Sequence, residues 1–555
     1  MAETPADLLI EGRIATLGGG AGFGWVEALV IRDGRVLAAG SRAEVAVLAS
    51  ADTHRWQLPA TMAVIPSFTD AHMHCASAAL AAEQPDLNGL DRAGVVAAID
   101  ALHQERLEGG DPDGWLLGHG WTIDALGEHP DASWLDEAAP GRPVALWSHD
   151  HHSRWLSARA IQLTGLAAVG DPPSGRIERD ADDRPTGIMY EAAAGLIDAF
   201  VPAPTMSDVD WAVGAFAREL AALGVTSVHD PGPVAPDPEL TGGPVHYREM
   251  ARGGHLPLRV VASVREEQLE RAIEIGFRSG ALAEGDERGR YRDGWLKLFS
   301  DGAIGSRTAA LLAPYEAGDP AGPPPGGPSG MPVRTAEQLA QVAGRAAEHG
   351  IASEIHAIGD GAVRTVLDVL AELPSVPAAM HRVEHAQLVD PADVPRFAAL
   401  GIPASVQPCH LLSDVDVMRA AWGARCSSTF PLAALEATGA LMPFGTDAPV
   451  ESPDPWRGLA AAVTRRGAGW PTGESFYPEQ AIGLDRALRG ACLDGPRSAH
   501  IEDQGHLDAG ARADLQVVPA DMFDAPDDAD VIEKTRPLAT VLDGEVVFRS
   551  PEFDR

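Results

Sequence analysis

Short apolar runs alternate with amphipathic stretches along the chain from residue 63 onward. Each run has the length of a buried strand, and the stretches between them repeat their apolar positions every three to four residues, as helices do. The predicted strands are 63–70, 224–230, 257–263, 294–301, 351–358, 381–387, 402–408 and 441–447. Eight strands that alternate with helices predict an α/β fold, a (β/α)8 TIM-like barrel over residues 63–500.

Both ends of the chain carry strand-like segments of a different kind. These segments are 7–17, 25–32, 35–40, 513–518 and 537–548. An Asp-Gly pair at 33–34 and another at 543–544 are signals for two-residue hairpins. Neither end has enough apolar surface to fold alone, so we expect residues 1–62 and 501–555 to form one small β-sandwich together.

The connection after the first predicted strand is too long for a barrel loop. Residues 85–205 must therefore hold an inserted subdomain, because barrel loops usually have only a few residues. A second long loop, 314–332, is rich in Pro and Gly and follows the fourth predicted strand. It is either a lid over the site or a plain surface loop.

The composition limits the class of protein. With 45% hydrophobic residues in 555, the chain is globular, and no apolar run has the roughly 20 residues of a transmembrane helix. A formal net charge of −37 disfavours nucleic acid and anionic membranes as partners. The four cysteines form no Cys-x-x-Cys pair, and the first residues lack a signal-peptide pattern. We therefore expect a cytoplasmic enzyme that acts on a small molecule, and a homodimer is compatible with this sequence.

The most informative polar residues are two histidines at the end of the first predicted strand. His72 and His74 are two residues apart, so on a strand they point to the same side, about 6.6 Å from each other. Two imidazoles placed in this way can bind one ion, and imidazole suits zinc as well as iron, nickel and copper. Histidine pairs at this spacing also occur by chance, so the remaining strands decide the interpretation.

Polar residues of the same kind stand on four further strands. Lys297 lies on the fourth predicted strand, His356 on the fifth, His385 on the sixth, and Asp447 at the end of the eighth. One such residue alone is usually a packed or capped side chain. Barrels of this class carry their chemistry at the carboxyl ends of the strands, where all six residues would meet. The combination predicts a metal site.

The lysine has a specific use in such a site. Lys297 and Lys534 are the two lysines of the chain, and every other basic side chain apart from histidine is arginine. Burial lowers the pKa of a lysine, and a neutral amine can add carbon dioxide to become a carbamate that bridges two metal ions. Arginine cannot do this. The alternative is that Lys297 forms a buried ion pair with an acid such as Asp301.

The order His-x-His, Lys, His, His, Asp on these strands resembles the amidohydrolase superfamily. Local motifs resemble one branch, amidohydrolase family 3, which includes YtcJ-like and N-substituted formamide deformylase-like enzymes. The motifs are 114–121 (GWLLGHGW), 297–310 (KLFSDGAIGSRTAA), 355–360 (IHAIGD), 382–387 (RVEHAQ), 405–410 (SVQPCH), 445–451 (GTDAPVE) and 505–515 (GHLDAGARADL). The resemblance covers nearly the whole chain.

The resemblance implies a set of metal ligands. His72, His74 and Asp447 would hold one ion. His356 and His385 would hold a second, and carboxylated Lys297 would bridge the two. Zinc is the expected metal, although some members of the superfamily use a single ion.

The expected reaction is hydrolysis of an amide-type, non-peptide carbon–nitrogen bond by metal-activated hydroxide. Asp447 would move the proton from the nucleophile to the leaving nitrogen. His152 would hydrogen-bond the oxyanion, or else make a structural contact. Trp121 and Trp155 are candidates for an apolar wall of the substrate site, or else buried core residues. Arg307 and Gln407 are weaker candidates for substrate contacts.

The sequence also departs from the family pattern. His151 stands where glycine is normal, Ser157 where asparagine is normal, and His119 where arginine is common. These departures concern the substrate rather than the metal. A deaminase of the same superfamily is one alternative function, but it would typically need a glutamate where this chain has Gly359. A metal-binding or scaffold relative without catalysis is the other alternative.

Overall fold

The chain forms two compact units, residues 1–75 with 213–555, and residues 76–212. The computed structural model describes residues 6–149, 153–172, 175–232, 243–317, 324, 326–471 and 473–553. The second unit corresponds to the insertion that the sequence placed at about 85–205.

A parallel sheet of seven strands forms the centre of the first unit. Its strands, in sheet order, are Phe68–Asp70, Val225–Asp230, Arg259–Arg265, Tyr291–Phe299, Ser353–Ala357, Arg382–His385 and Ala404–Ser405. Sheet order and chain order are the same, and every neighbouring pair is parallel. The predicted alternation of parallel strands and helices is therefore confirmed for these seven strands.

The eighth predicted strand, 441–447, connects the two edges of this sheet. On one side, Val406 donates its N–H to Pro443 O at 2.9 Å, and Val406 and Phe444 form a parallel bridge. On the other side, Ala71 donates to Phe444 O at 2.8 Å, and Asp447 donates to His72 O at 2.7 Å. Backbone hydrogen bonds therefore join the seventh strand to the first through this segment, and the sheet curls.

The first predicted strand is in fact two strands in two sheets. Phe68–Asp70 belongs to the parallel sheet, whereas Met62–Pro66 pairs antiparallel with Leu515–Pro519 in the sheet built from the chain ends. The boundary given as residue 63 was therefore wrong for the barrel. Both halves of the run are buried, and hydrophobic pattern alone does not show where a buried strand changes its partner.

Strands from both ends of the chain form a single eight-stranded sheet. Its strands are Leu8–Ala15, Trp25–Arg32, Arg35–Gly40, His54–Gln57, Met62–Pro66, Leu515–Pro519, Ala539–Leu542 and Glu545–Arg549. Both predicted Asp-Gly hairpins are present, with φ of 51° and 72° at 33–34 and 53° and 76° at 543–544. We predicted a β-sandwich; the strands of both ends instead share one sheet.

Helices pack on both sheets of the first unit. They are Arg42–Ala46, Pro244–Arg252, Leu269–Glu274, Ala336–Glu348, Asp360–Glu372, Val394–Leu400, His410–Trp422, Leu432–Thr438, Pro455–Thr464, Leu484–Arg489, Gly495–Ser498, Asp521–Asp524 and Ala529–Lys534. Two helices, Cys75–Ala82 and Met206–Ala222, contain the boundaries between the units. Across the described ranges, we find no helix with the length and apolar character needed to cross a bilayer.

The second unit has its own sheet and its own core. The sheet order is Gly175–Arg179, Pro185–Glu191, Ser153–Leu156, Val144–Ser148 and Leu116–Trp121. Its helices are Arg92–Glu108, Ile123–Leu126, Ala132–Ala138 and Ala158–Thr164.

A buried ion pair ties the terminal sheet to the parallel sheet. Arg259, on the third parallel strand, donates from Nε and Nη2 to the Asp514 carboxylate at 2.7 and 3.0 Å, and both side chains are 4% exposed. Arg259 Nη2 also contacts Asp543. Burial opposes ionisation of Asp514, but the charge and hydrogen bonds of Arg259 outweigh it and hold the pKa of Asp514 below its ordinary value.

Replacing Asp514 by asparagine removes one partner of this buried pair. We expect Asp514→Asn to lower the free energy of unfolding by about 3 kcal/mol at pH 7. The pKa of Asp514 is lower in the folded than in the unfolded protein. The difference in the free energy of unfolding between variant and wild type is therefore complete above about pH 4, and it disappears as the pH falls through the folded pKa. Urea titrations at several pH values measure it.

Glu545→Gln is the control for this prediction. Glu545, on the terminal sheet, pairs with Arg288 at 3.3 Å, but the two side chains are 64% and 53% exposed. An exposed pair contributes at most about 1 kcal/mol. Equal losses in the two variants would contradict a special role for the buried pair.

Candidate metal centre

The first parallel strand delivers two histidines whose rings are already oriented. His72 Nδ1 donates to Glu384 Oε2 at 2.5 Å, and His74 Nδ1 donates to the Gly232 carbonyl at 2.5 Å. Each bond selects the tautomer that carries its lone pair on Nε2. Both Nε2 atoms lie 3.5 Å from Asp447 Oδ1, so the two rings converge on one point.

The histidines of the fifth and sixth strands are held in the same way. His356 Nε2 donates to the Gly302 carbonyl at 3.2 Å, and His385 Nδ1 donates to Gln407 Oε1 at 2.8 Å. The selected tautomers carry their lone pairs on Nδ1 of His356 and Nε2 of His385. The two ring centroids are 4.4 Å apart, and that of His385 is 5.1 Å from that of His72.

Asp447 uses its two carboxylate oxygens in different directions. Oδ1 faces His72 and His74, and Oδ2 accepts a hydrogen bond from His410 Nε2 at 3.2 Å. On its other side, His410 Nδ1 lies 3.7 Å from Glu451 Oε1. His410 begins the helix that follows the seventh strand, so this support comes from a neighbouring element.

Three of these side chains are close enough to share an ion. Ligand atoms of His72, His385 and Asp447 all lie within 4.8 Å of one another, and all three residues are buried. Neutral imidazole nitrogens with an ionised carboxylate form a donor set that zinc and related divalent metals accept. The residues present therefore fit a metal ion.

Lys297 lies inside this group of ligands. Its Nζ is 3.4 Å from His72 Nε2, its side chain is 1% exposed, and the Phe299 ring lies beneath it at 5.1 Å. Among the described residues, no carboxylate oxygen lies within 4 Å of Nζ. Asp301, the suggested ion-pair partner, instead accepts backbone N–H groups from Ala310 and Gly359 at 2.8 and 2.9 Å. This geometry disfavours the ion-pair alternative.

Burial determines the protonation of the group. It lowers the pKa of His72 well below its ordinary value, with the Lys297 charge adding to the effect. Burial also lowers the pKa of Lys297, although Glu384 and Glu354 oppose this shift. It opposes ionisation of Asp447, but the hydrogen bond from His410 outweighs it and helps to hold the pKa of Asp447 well below its ordinary value. Neutral rings beside an ionised carboxylate are the forms that bind a metal.

Two of the ligand residues have unusual backbone conformations. His385 has φ of 70° and Asp447 has φ of 63°, in the left-handed region that residues other than glycine rarely adopt. Both stand where a strand ends, so the chain turns sharply and aims the side chain along the rim. Such strained residues are concentrated at functional sites.

The weaker sequence candidates have structural contacts. Gln407 is fully buried and its side-chain oxygen accepts from His385, which makes it a support for a ligand. Arg307 Nη1 donates to the carbonyls of Ile304 and Gly305, both at 3.0 Å, within the loop after the fourth strand.

Trp121 and Trp155 lie in the core of the second unit. Their exposed fractions are 2% and 0%, and their ring centroids are 5.8 Å apart. Trp121 donates to the Leu146 carbonyl and Trp155 to the Asp131 carbonyl. These contacts favour the core interpretation that the sequence left open.

Some of the remaining sequence candidates lie outside the described residues, and the others make structural contacts. His151 and His152 lie outside the described residues, as does part of the loop 314–332. His119 donates from Nε2 to the Ala81 carbonyl at 3.2 Å. Ser157 is fully buried; its Oγ accepts from Val144 and caps the helix Ala158–Thr164, so its polar group is used within the fold.

Sequence reasoning missed two residues that lie behind the ligands, Glu384 and Arg382, both inside the sixth strand. A charged pair inside an otherwise buried strand was the available signal, since such charges are seldom buried without partners.

The surroundings of Gly359 bear on the deaminase alternative. A Cβ atom at this position would lie 2.1 Å from the Ala310 carbonyl oxygen. Backbone rather than a flexible side chain occupies the space, so a glutamate cannot be placed there without moving the loop after the fourth strand.

Comparisons with known proteins show which family the sequence resembles. The sequence matches the model of a family described as "Amidohydrolase family" over residues 62–548. The putative amidohydrolase YtcJ of Bacillus subtilis (strain 168) is 28% identical over 94% of this chain and 96% of its own. The N-substituted formamide deformylase of Arthrobacter pascens is 25% identical over 93% of this chain and 94% of its own. A crystal structure of an uncharacterized metal-dependent hydrolase from Pyrococcus furiosus superposes with a TM-score of 0.71 at 27% identity, covering 92% of this chain and 98% of the other.

Gly445 allows the eighth strand to approach the first, and a methyl group there tests the site. A Cβ atom at this position would lie 2.6 Å from the backbone nitrogen of His72. We expect Gly445→Ala to displace His72, to lower the metal content, and to reduce the free energy of unfolding by about 1–3 kcal/mol. Metal analysis and urea unfolding on one sample measure both effects.

Gly344→Ala provides the control, because Gly344 is inside the helix Ala336–Glu348 and its nearest neighbour would be Leu373 Cδ2 at 3.9 Å. That variant should keep its metal and its stability. Full metal content in Gly445→Ala would show that the close approach is not required.

Proposed function

The chain belongs to the amidohydrolase family, and we propose that it hydrolyses a non-peptide, amide-type carbon–nitrogen bond at the site described above. It is a metal-dependent hydrolase that acts on carbon–nitrogen bonds. The proposed ligands are His72, His74, Lys297, His356, His385 and Asp447. They stand on the rim of a ring of strands that we interpret as a (β/α)8 barrel, closed by the segment 441–447.

One observation carries the proposal: each of the four histidines is fixed through one ring nitrogen. The acceptors are Glu384 for His72, Gly232 for His74, Gly302 for His356 and Gln407 for His385. Structural histidines in a core need no such common arrangement. Histidines that bind metals almost always donate their second ring N–H to an oxygen, because this fixes the tautomer and the ring orientation.

We propose two divalent ions, most simply zinc. His72, His74 and Asp447 would hold one, and His356 with His385 the other. A neutral Lys297 that adds carbon dioxide and releases a proton becomes a carbamate, whose two oxygens suit a bridge between them. The position of Nζ beside His72 Nε2 supports this role. Bound divalent metal would lower the pKa of water and polarise the substrate carbonyl.

The side chains of the chain then provide orientation and proton transfer. Asp447 is held in its ionised form, so it can accept a proton from the attacking water. Its bond from His410 fixes the plane of the carboxylate. The protonated Asp447 then delivers the proton to the leaving nitrogen. His152 remains our candidate from the sequence for a hydrogen bond to the oxyanion.

The proposal predicts that Asp447→Asn keeps much of its metal but loses turnover. The amide oxygen can still coordinate, but it cannot take up a proton. General acid–base catalysis contributes about 10²–10⁴-fold in rate, so kcat should fall by at least about 100-fold. The assay is a panel of N-substituted formamides, N-acyl amines, cyclic amides and carbamates, with metal content measured on each sample.

Asp368→Asn serves as the control, since Asp368 is 62% exposed and pairs with Arg396 on the surface. Near-normal turnover of Asp447→Asn with full metal would show that another group moves the proton. A wild-type protein that binds metal but turns over no substrate of the panel would instead favour the scaffold alternative.

Lys297→Ala should abolish activity and weaken metal binding, and a small carboxylic acid should restore part of the rate by replacing the carbamate. Lys534→Ala is the matched control, because Lys534 is 73% exposed and pairs with Asp530 on a surface helix. Mass spectrometry and a crystal structure of the metal-loaded protein measure carboxylation directly. An unmodified amine in that structure would contradict the bridging role.

A further inference from the structure

The four histidines are fixed by acceptors of different kinds. His74 and His356 donate to neutral backbone carbonyls, and His385 donates to a neutral amide oxygen. His72 donates from Nδ1 to a carboxylate, that of Glu384, at 2.5 Å. A carboxylate acceptor draws the Nδ1 proton more strongly and makes the opposite nitrogen a stronger donor to a metal.

Glu384 is also completely buried. Its side chain is 0% exposed, as are those of Arg382 and Glu354. Arg382 Nε lies 2.6 Å from Glu384 Oε1, and Arg382 Nη2 forms a second ion pair with Glu354. A buried carboxylate without a partner would be strongly disfavoured, and Arg382 is the cation that Glu384 contacts beneath His72.

Arg382 connects this charge to the surrounding strands. Its Nη2 donates to the Ala71 carbonyl at 3.1 Å, immediately before His72, and its Nη1 donates to His229 Nδ1 at 3.0 Å. The guanidinium lies over the Trp295 ring at 3.9 Å. One planar cation therefore contacts the first, second, fourth, fifth and sixth strands, and its position relative to the rim is set by all of them.

We propose that Glu384 is a positioning residue for the metal centre: paired with Arg382, it locks His72 as the dominant metal donor of the site. The proposal rests on the proposed metal function. Glu384 acts through His72 and contacts neither substrate nor metal. The same charge is what makes the His72 side of the site different from the His385 side.

Glutamine at position 384 separates charge from size. A glutamate has a negative oxygen for each neighbour: Oε2 accepts the hydrogen bond of His72 Nδ1, and Oε1 forms the ion pair with Arg382 Nε. Glutamine has one oxygen and one NH2 group, so one of these two donors would face another donor. Glu384→Gln should therefore weaken zinc binding by about 10–100-fold, the usual effect of removing such a support.

The test is a zinc titration of metal-free protein against a competing chelator, which reports a dissociation constant independently of turnover. Arg382→Lys keeps the charge but cannot reach both acids with one planar group, so it should weaken zinc binding less than Glu384→Gln. Glu354→Gln is one contact further away and should have the smallest effect. Substitution with Co²⁺ adds a visible spectrum that depends on ligand geometry, and it should change in Glu384→Gln.

Asp293→Asn is the matched control. Asp293 is 1% exposed and bonded to Arg248 and Tyr291, and it precedes Lys297 by four residues on the same strand, about 13 Å away. It should lose stability without a change in zinc affinity or cobalt spectrum. Far-UV circular dichroism establishes whether each variant folds. If Glu384→Gln does not fold, the zinc affinities of Arg382→Lys and Glu354→Gln still test the proposal.

The outcomes are distinct. Unchanged zinc affinity in Glu384→Gln, beside a wild type that binds zinc, would overturn the positioning role and leave the proposed function intact. Equal losses in Glu384→Gln and Asp293→Asn would overturn it as well, because a general loss of stability would then explain both. A wild type that binds no divalent metal would overturn the proposed function itself.

Discussion

The site depends on the backbone pairing that joins the last strand of the ring to the first. The segment 441–447 is bonded to the seventh strand on one side and to residues 71 and 72 on the other. This pairing brings Asp447, from late in the chain, against His72 and His74, from early in the chain. A shift of one residue would turn Asp447 away from the rim, since neighbouring side chains on a strand point in opposite directions.

The charges beneath the rim form a second requirement. A parallel ring of strands has an apolar interior, yet Arg382, Glu354 and Glu384 all lie there without exposure to water. Ion pairs of this kind add little stability compared with apolar residues of similar volume, so stability does not account for them. Their contacts lead to His72, and the orientation of a ligand is an account that the geometry supports.

The sequence predicted the strand alternation and the six candidate ligands, because strand ends that carry His, Lys or Asp after an apolar run are visible in one dimension. It did not predict the split of 63–70 between two sheets, since buried strands look alike whichever partner they have. The sequence did not reveal Glu384 for a related reason: its significance lies in a contact with His72, which is 312 residues away along the chain. His152 lies outside the described residues, so its role remains a prediction.

In the terminal sheet, one strand from the start of the chain lies between a strand that is synthesised early and a strand that is synthesised late. Met62–Pro66 pairs with Leu8–Ala15 on one side and with Leu515–Pro519 on the other. At the ribosome's rate of about 5–20 residues per second, the early strands wait roughly 20–90 s for their late partner. During that interval an apolar edge stays open beside the exit tunnel. The protein should therefore depend on holding chaperones during synthesis far more than its finished fold suggests.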